Sequence, residues 1–300
     1  MGYSLYFLFV NQLKVYSIET RQKKIINHKI LNEHWFIGSI LLIIWGYLFT
    51  YFISVIVAVI FGNVIPLPKE EIMYIGMILG ALLTLLVHKR WFYPEYEGSL
   101  KTKDLKRWLI TGLIILVIVL LPDIITSLIL KTNLGAPTLH SVLMAGVAGT
   151  VEETVFRGLP VSYLMRQNKK KSHIIWIAIV TSLIFGSVHG FNFFAGATLL
   201  AALLQVISAS AAGFLLCALF IRSGSLLPSM LMHAINDVYA FMNLDLVSEA
   251  GVMEGTLKTS DIVLNMILSV LQIIIAIYLL HPSAWDEIME TWNRKWGKEN

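Results

Sequence analysis

The sequence predicts an all-α, polytopic membrane protein with about eight transmembrane helices. Three observations carry the fold class. Hydrophobic residues make up 57% of the chain and charged ones only 14%. The mean hydropathy is +0.73, too apolar for a soluble domain of this length. Stretches of the roughly 20 apolar residues that cross a bilayer recur at 35–61, 72–92, 108–130, 139–166, 173–189, 196–221, 226–243 and 262–280.

The first stretch is nearly uninterrupted from Trp35 to Phe61 and stops at Gly62-Asn63, with Pro66 and Pro68 beyond. The third carries Pro122-Asp123, a kink with one buried acid. Asp123 either hydrogen-bonds backbone freed by Pro122 or lines a cavity, and the former is the reading adopted. The fifth is short and ends at His189-Gly190, while the seventh follows Ser223-Gly224-Ser225 and has Pro228 in its first turn. The tail 281–300 is amphipathic and rich in tryptophan, which suits a helix lying on the inner membrane surface. Segment 1–34, basic, is expected to be cytoplasmic or interfacial, which leaves 35–280 as the membrane domain.

Charge tests the count of spans. With both termini cytoplasmic, every one of the 23 basic residues except Lys69, Lys131 and Lys258 falls on the inner side, Arg157 being counted toward the end it approaches. A net charge of +4 therefore reads as a topology signal and not as nucleic-acid affinity. The expected location is the cytoplasmic membrane, multi-pass, with the lipid bilayer as one partner. The lone Cys217 excludes an intrachain disulfide and a thiolate metal site, and it reads as a packing residue. No signal peptide is expected, because the first apolar residues lack a basic region before them and a small-residue cleavage site after. No pair of broken helices with matching motifs in each half points to a secondary transporter.

Chemistry concentrates between 150 and 240. Glu152, Glu153 and Arg157 lie inside an apolar span, where a charge costs several kcal/mol unless paired, solvated or used. On a helix Glu153 and Arg157 share a face, and Glu152 is turned about 100° away. One carboxylate can be neutralised while the other points elsewhere, as an acid/base pair requires. Phe185 and His189 stand four apart in the fifth span, His233 and Asp237 four apart in the seventh. Counted from the inner ends, Glu152 and His189 lie on the order of 20–25 Å deep. His233 meets them only if its helix begins below the inner surface. Acids and imidazoles from three spans supply what hydrolysis needs: a base for water, a group that holds it, and donors for an oxyanion.

Glu-Glu-x-x-x-Arg, Phe-x-x-x-His and His-x-x-x-Asp, in this order on apolar spans, resemble the motifs of the CPBP (CAAX protease and bacteriocin-processing, or Abi) family of intramembrane proteases. The resemblance covers about 95 residues and implies a helical core of eight spans. It implies Glu152 as general base on a water held with His189, His233 and the residue at 237 as oxyanion stabilisers, and Glu153 and Arg157 as supports that also orient substrate. Phe185 becomes a wall of the site. Relatives labelled metalloproteases would use Glu152, His189 and His233 for Zn²⁺; a glutamate-activated water without metal is the version favoured. The chain departs from CAAX enzymes at Asp237, where they have Asn. An ionised Asp repels an oxyanion, so it must be protonated, orient His233 or favour a cation. Asn236 beside it faces elsewhere. The substrate implied is a membrane-associated peptide or protein, and the biology of the family spans pheromone maturation, bacteriocin self-immunity and control of surface proteins. The rival from another class is a non-proteolytic scaffold or bacteriocin immunity protein that binds a partner through the same cavity. At residue level, Glu153–Arg157 also reads as an ion pair that only locks its helix.

Overall fold

A computed structural model describes residues 34–130, 135–168, 170–244 and 259–298. The basic segment expected to precede the membrane domain lies outside the described residues up to 33. Among the described residues every regular element is helical. The main helices are α1 (Trp35–Phe61), α2 (Lys69–Val87), α3 (Leu105–Leu130), α4 (Leu139–Val147), α5 (Pro160–Gln167), α6 (His173–Val188), α7 (Leu199–Ser223), α8 (Leu227–Leu244), α9 (Thr259–Leu279) and α10 (Trp285–Lys295).

Among the described residues six helices are long and apolar enough to cross a membrane: Trp35–Phe61, Lys69–Phe92, Leu105–Ile129, His173–Phe193, Leu199–Ser223 and Ile262–Leu279. The other two expected spans are the fourth and the seventh, both of which carry motifs. The fourth is not one helix. It comprises α4, two π-helical turns at Ala148–Glu152 and Thr154–Gly158, and α5, joined by backbone bonds such as Leu159 N–H to Thr154 O, which skip five residues where an α-helix skips four. The seventh, α8, is interrupted in its apolar character by His233, Asn236 and Asp237. Pro122 sits within α3 without ending it.

Outward-facing residues such as Leu48, Val59, Val117, Leu128, Ile274 and Tyr278 are exposed apolar side chains, as lipid contact requires, while small residues face inward. A Cβ on Gly76 or Gly80 would come within 2.7 Å of Ser54 Cα or of Thr50 O, so α1 and α2 touch backbone to backbone. Thr50 and Thr84 then share a hydrogen bond of 3.1 Å across the seam.

The tail differs from expectation. It is an amphipathic helix, but Trp292 and Trp296 point into the protein. Trp292 Nε1 donates to Ile221 O at 2.9 Å, Trp296 stacks on Tyr96, and Lys295 Nζ donates to Lys101 O at 2.6 Å. The sequence period identifies the apolar face, and that face covers the ends of α5 and α7 instead of lipid.

The turn into α8 is buried as well. Gly224 takes the left-handed conformation (φ 69°) that ends α7, Ser225 Oγ donates to Leu100 O, and Leu226 N–H donates to Ser99 O. Ser223, Ser225 and Leu226 have at most 1% of their surface exposed, so α8 begins inside the protein, as the depth of His233 requires.

Candidate active site

The π-helical turns set the site. They interrupt the fourth span at Glu152 and Glu153, and π turns within helices are frequent at functional sites. The segment lies directly against α8: a Cβ on Gly149 would stand 2.6 Å from Met230 O and 2.7 Å from Ala234 Cβ. Only glycine permits that approach, which carries His233 to Glu153.

Glu153 and Arg157 have no exposed side-chain surface. Arg157 Nη1 donates to Glu153 Oε1 at 3.0 Å, and His233 Nδ1 stands 2.9 Å from the same oxygen. A carboxylate oxygen accepts, so His233 Nδ1 carries the hydrogen and its Nε2 is turned to the cavity. Glu153, expected to steady the general base, instead holds His233. Arg157 Cζ lies 4.0 Å from the centre of the Phe185 ring, a cation–π contact. Among the described residues Arg157 Nε and Nη2 have no acceptor. Gly213 makes room for this stack, since a Cβ there would lie 2.9 Å from Arg157 Nη2 and 3.0 Å from Phe185 Cδ1. Arg157 is thus enclosed behind Phe185 with no exposed side-chain surface.

Glu152 points the other way, with 27% of its side chain exposed. It lines a cavity of about 500 Å³ together with Phe185, His189, His233 and Asp237, and a second of about 290 Å³ with Tyr47, Phe156, Phe185 and His189. Glu152 Oε2 is 3.9 Å from His233 Nε2, and Asp237 Oδ2 is 3.5 Å from the same nitrogen. Both separations exceed a good hydrogen bond and lie within close coulombic reach.

His189 is oriented by the end of its own helix. The chain tightens there into a 3₁₀ turn, and His189 N–H bonds to Gly186 O and Ser187 O, so the Phe185 carbonyl takes the imidazole Nδ1 at 3.2 Å. A carbonyl only accepts, which places the hydrogen on Nδ1 and leaves Nε2 of the neutral ring as an acceptor toward the cavity.

All seven residues singled out from the sequence therefore converge: Glu152, His189, His233, Asp237 and Phe185 at the cavity, Glu153 and Arg157 behind it. Asp123 also lines the larger cavity, the reading not adopted from sequence. Sequence reasoning set Asn236 aside, yet its Nδ2 donates to Asp237 Oδ1 at 3.2 Å, and it missed Gln205, which lines both cavities and accepts from Asn192 Nδ2 at 2.7 Å. A carboxamide among apolar residues of α7 was the available signal. Among the described residues no three His, Cys, Asp or Glu side chains stand as metal ligands would. Phe185 O and Glu153 hold Nδ1 of His189 and of His233, which leaves each Nε2 as the nitrogen turned to the cavity. The donor set Glu152, His189 and His233 does not fit Zn²⁺ as arranged, and no step below passes through a metal.

Residues 133–239 match the family model described as Type II CAAX prenyl endopeptidase Rce1-like. No curated protein and no solved structure matches the chain. The matched segment runs from the start of the fourth span into α8 and contains every motif residue named above. Residues 133–239 are therefore an Rce1-like domain of the CAAX-protease kind that the motifs resemble.

Proposed function

We propose that this protein is a glutamate-dependent intramembrane endopeptidase that hydrolyses a peptide bond of a membrane-associated peptide or protein. The observation that carries the reading is the division of labour between adjacent carboxylates. Glu153 is fully buried, neutralised by Arg157 and bonded to His233, whereas Glu152 faces the cavity shared with His189. Glu152 removes a proton from a water whose other hydrogen is accepted by His189 Nε2, and the oxygen attacks the carbonyl carbon of the scissile bond. In its doubly protonated form His233 donates Nε2–H to the oxyanion, held in place through Nδ1 by Glu153. Glu152 then returns the proton to the leaving amine, the C–N bond breaks, and water is consumed. Asp237 faces His233 Nε2 at 3.5 Å and offsets imidazolium charge between turnovers. Asn236 turns that carboxylate by its hydrogen bond.

The protein sits in the cytoplasmic membrane with both ends of the chain on the cytoplasmic side, and residues 35–280 form the membrane domain. The basic residues of the inner loops support this orientation.

The test uses the full-length protein purified in detergent or nanodiscs and incubated with membrane-associated peptides, with mass spectrometry reading the cuts. Glu152→Gln and His189→Ala are expected to lose 10²- to 10⁴-fold in rate, the range of general-base catalysis, while their thermal unfolding remains cooperative. Cleavage is expected to persist in chelator. Full activity in folded Glu152→Gln protein would overturn the proposal and favour a non-proteolytic scaffold.

A further inference from the structure

Two cavities meet at the catalytic groups. Glu152, Phe185, His189 and Gln205 line both of them. His233, Asn236 and Asp237 line only the larger, whereas Tyr47, Phe156 and Asn192 line only the smaller. In the peptidase reading His233 receives the oxyanion, so the scissile carbonyl occupies the larger space. The smaller one, of about 290 Å³, is left for another reactant.

Its lining is polar for the interior of a membrane protein. Tyr47, Glu152, His189, Asn192 and Gln205 stand there, with Phe156, Phe185 and Val188 as the apolar remainder. Polar groups in a membrane are costly unless they meet protein or water. Among the described residues the Tyr47 hydroxyl has no hydrogen-bond partner. Asn192 Nδ2 donates to Gln205 Oε1 at 2.7 Å, which leaves the Gln205 amide hydrogens and the Asn192 carbonyl available to a third group. Several water molecules fit such a volume at about 30 Å³ each, and each needs roughly two to four polar partners.

Tyr47 comes from α1, outside the family-matched segment. A Cβ on its neighbour Gly46 would stand 2.6 Å from Leu159 Cδ1 and 3.3 Å from Val155 Cγ2, so α1 lies close against the π turn Thr154–Gly158. The Tyr47 ring meets Phe156 edge to face with centroids 5.8 Å apart, and Phe156 meets Phe185 in the same way at 5.2 Å. Aromatic packing therefore holds the ring at the cavity. A water about to attack has four hydrogen-bonding directions. Its hydrogens go to Glu152 and to His189 Nε2, one lone pair aims at the carbonyl carbon, and the other accepts from one donor. Gln205 and Asn192 are tied to each other, and the Tyr47 O–H is the donor with no other engagement.

We propose that the smaller cavity is the water chamber of the site. The Tyr47 hydroxyl donates to the nucleophilic water that Glu152 and His189 share, and Asn192 and Gln205 hold the waters that replace it. Each turnover consumes one water, and the phenol gives up no proton. This rests on the peptidase reading above and deepens it.

The experiment uses the full-length protein in nanodiscs. Pulsed hydroxyl-radical footprinting, read by mass spectrometry, reports water beside individual side chains. Phe156 is 2% exposed and lines the smaller cavity, while Phe220 is 0% exposed and lines neither. Phe156 is expected to label at least fivefold faster than Phe220, and Gln205→Leu to slow it at least threefold, with Asn192→Leu making the same test should the first variant not fold. Initial rates of peptide cleavage form the second arm. Tyr47→Phe keeps the ring and its contact with Phe156, and is expected to lower kcat at least fivefold with KM within twofold and thermal unfolding unchanged. Phe156 labelling that is no faster than that of Phe220, or unslowed in the folded variants, would overturn the chamber whether or not the protein cleaves peptides. Unchanged kcat in Tyr47→Phe protein would remove the phenol from the reaction, and a raised KM at unchanged kcat would give the space to substrate; either result overturns the proposal. A wet chamber in a protein that cleaves no peptide would leave the water site standing and sink the peptidase.

Discussion

Replacing Glu153 by Gln separates a catalytic support from a mere helix lock. The oxygen Glu153 Oε1 receives Arg157 Nη1 at 3.0 Å and His233 Nδ1 at 2.9 Å, in a site with no exposed surface at either member of the ion pair. Removing the negative charge leaves the guanidinium uncompensated, and breaking a buried pair in this way costs about 3–5 kcal/mol. The His233 bond changes from charge-assisted to neutral, a loss of about 1–2 kcal/mol, or roughly five- to thirtyfold in rate if His233 stabilises the transition state. The paired substitution Glu153→Met with Arg157→Leu removes both charges and fills the space with apolar atoms. It is expected to recover most of the stability, since such replacements are often neutral, and to recover none of the activity, since His233 Nδ1 still lacks its acceptor. Thermal unfolding in detergent and initial rates of peptide cleavage measure the two quantities independently. If the double variant regained both stability and activity, Glu153 and Arg157 would be only a structural ion pair and the chain of support to His233 would be wrong.

Gly149→Val is expected to force α8 away from the π-helical segment, because the backbone and Cβ atoms of Met230 and Ala234 leave no space; activity should fall at least tenfold, and a variant as active as the parent would refute the close approach as the device that places His233. Burial of Lys295 lowers its amine to about 8, so from pH 8 to about 10 the folded state gives up a proton that the unfolded chain keeps. Stability should therefore rise with pH across that window, by at most about 3 kcal/mol for the full shift, and Lys295→Met should flatten the slope in a series of unfolding curves. Above pH 10 the sign reverses, because burial raises the phenols of Tyr93 and Tyr96. Trp292→Ala removes a side chain that is 1% exposed together with its bond to Ile221 O; a loss of about 3–5 kcal/mol is expected, and an unchanged unfolding temperature would show the tail to be dispensable.

The residues that announce themselves in the sequence are those whose chemistry is out of place. Glu152, Glu153, Arg157, His233 and Asp237 stand among Val, Leu, Ala and Phe, where ionisable groups are expensive, and so the cost itself marks them. The six long helices are legible for the complementary reason, since few charged residues interrupt their apolar runs. What sequence period cannot supply is the identity of the partner across a seam. The four-residue spacing pairs Glu153 with Arg157 correctly, but says nothing of His233, which lies 80 positions away and arrives only because Gly149 admits α8. The π turns are invisible for the same reason: the apolar period of 139–166 fits a continuous helix, and the two wider turns arise where tertiary contacts overrule it. On α10 the period gives an amphipathic face without saying whether lipid or protein covers it, and the buried ends of α5 and α7 win.

The contacts of Glu153 with Arg157 and His233 carry a physical lesson. A helix face read alone assigns each polar residue to its nearest neighbour along the chain, yet polar groups in a membrane are satisfied by whatever stands opposite. Asn265 and Gln272 are isolated carboxamides in an apolar run and carry no motif in the sequence, yet both line the cavity that contains Glu152 and His189.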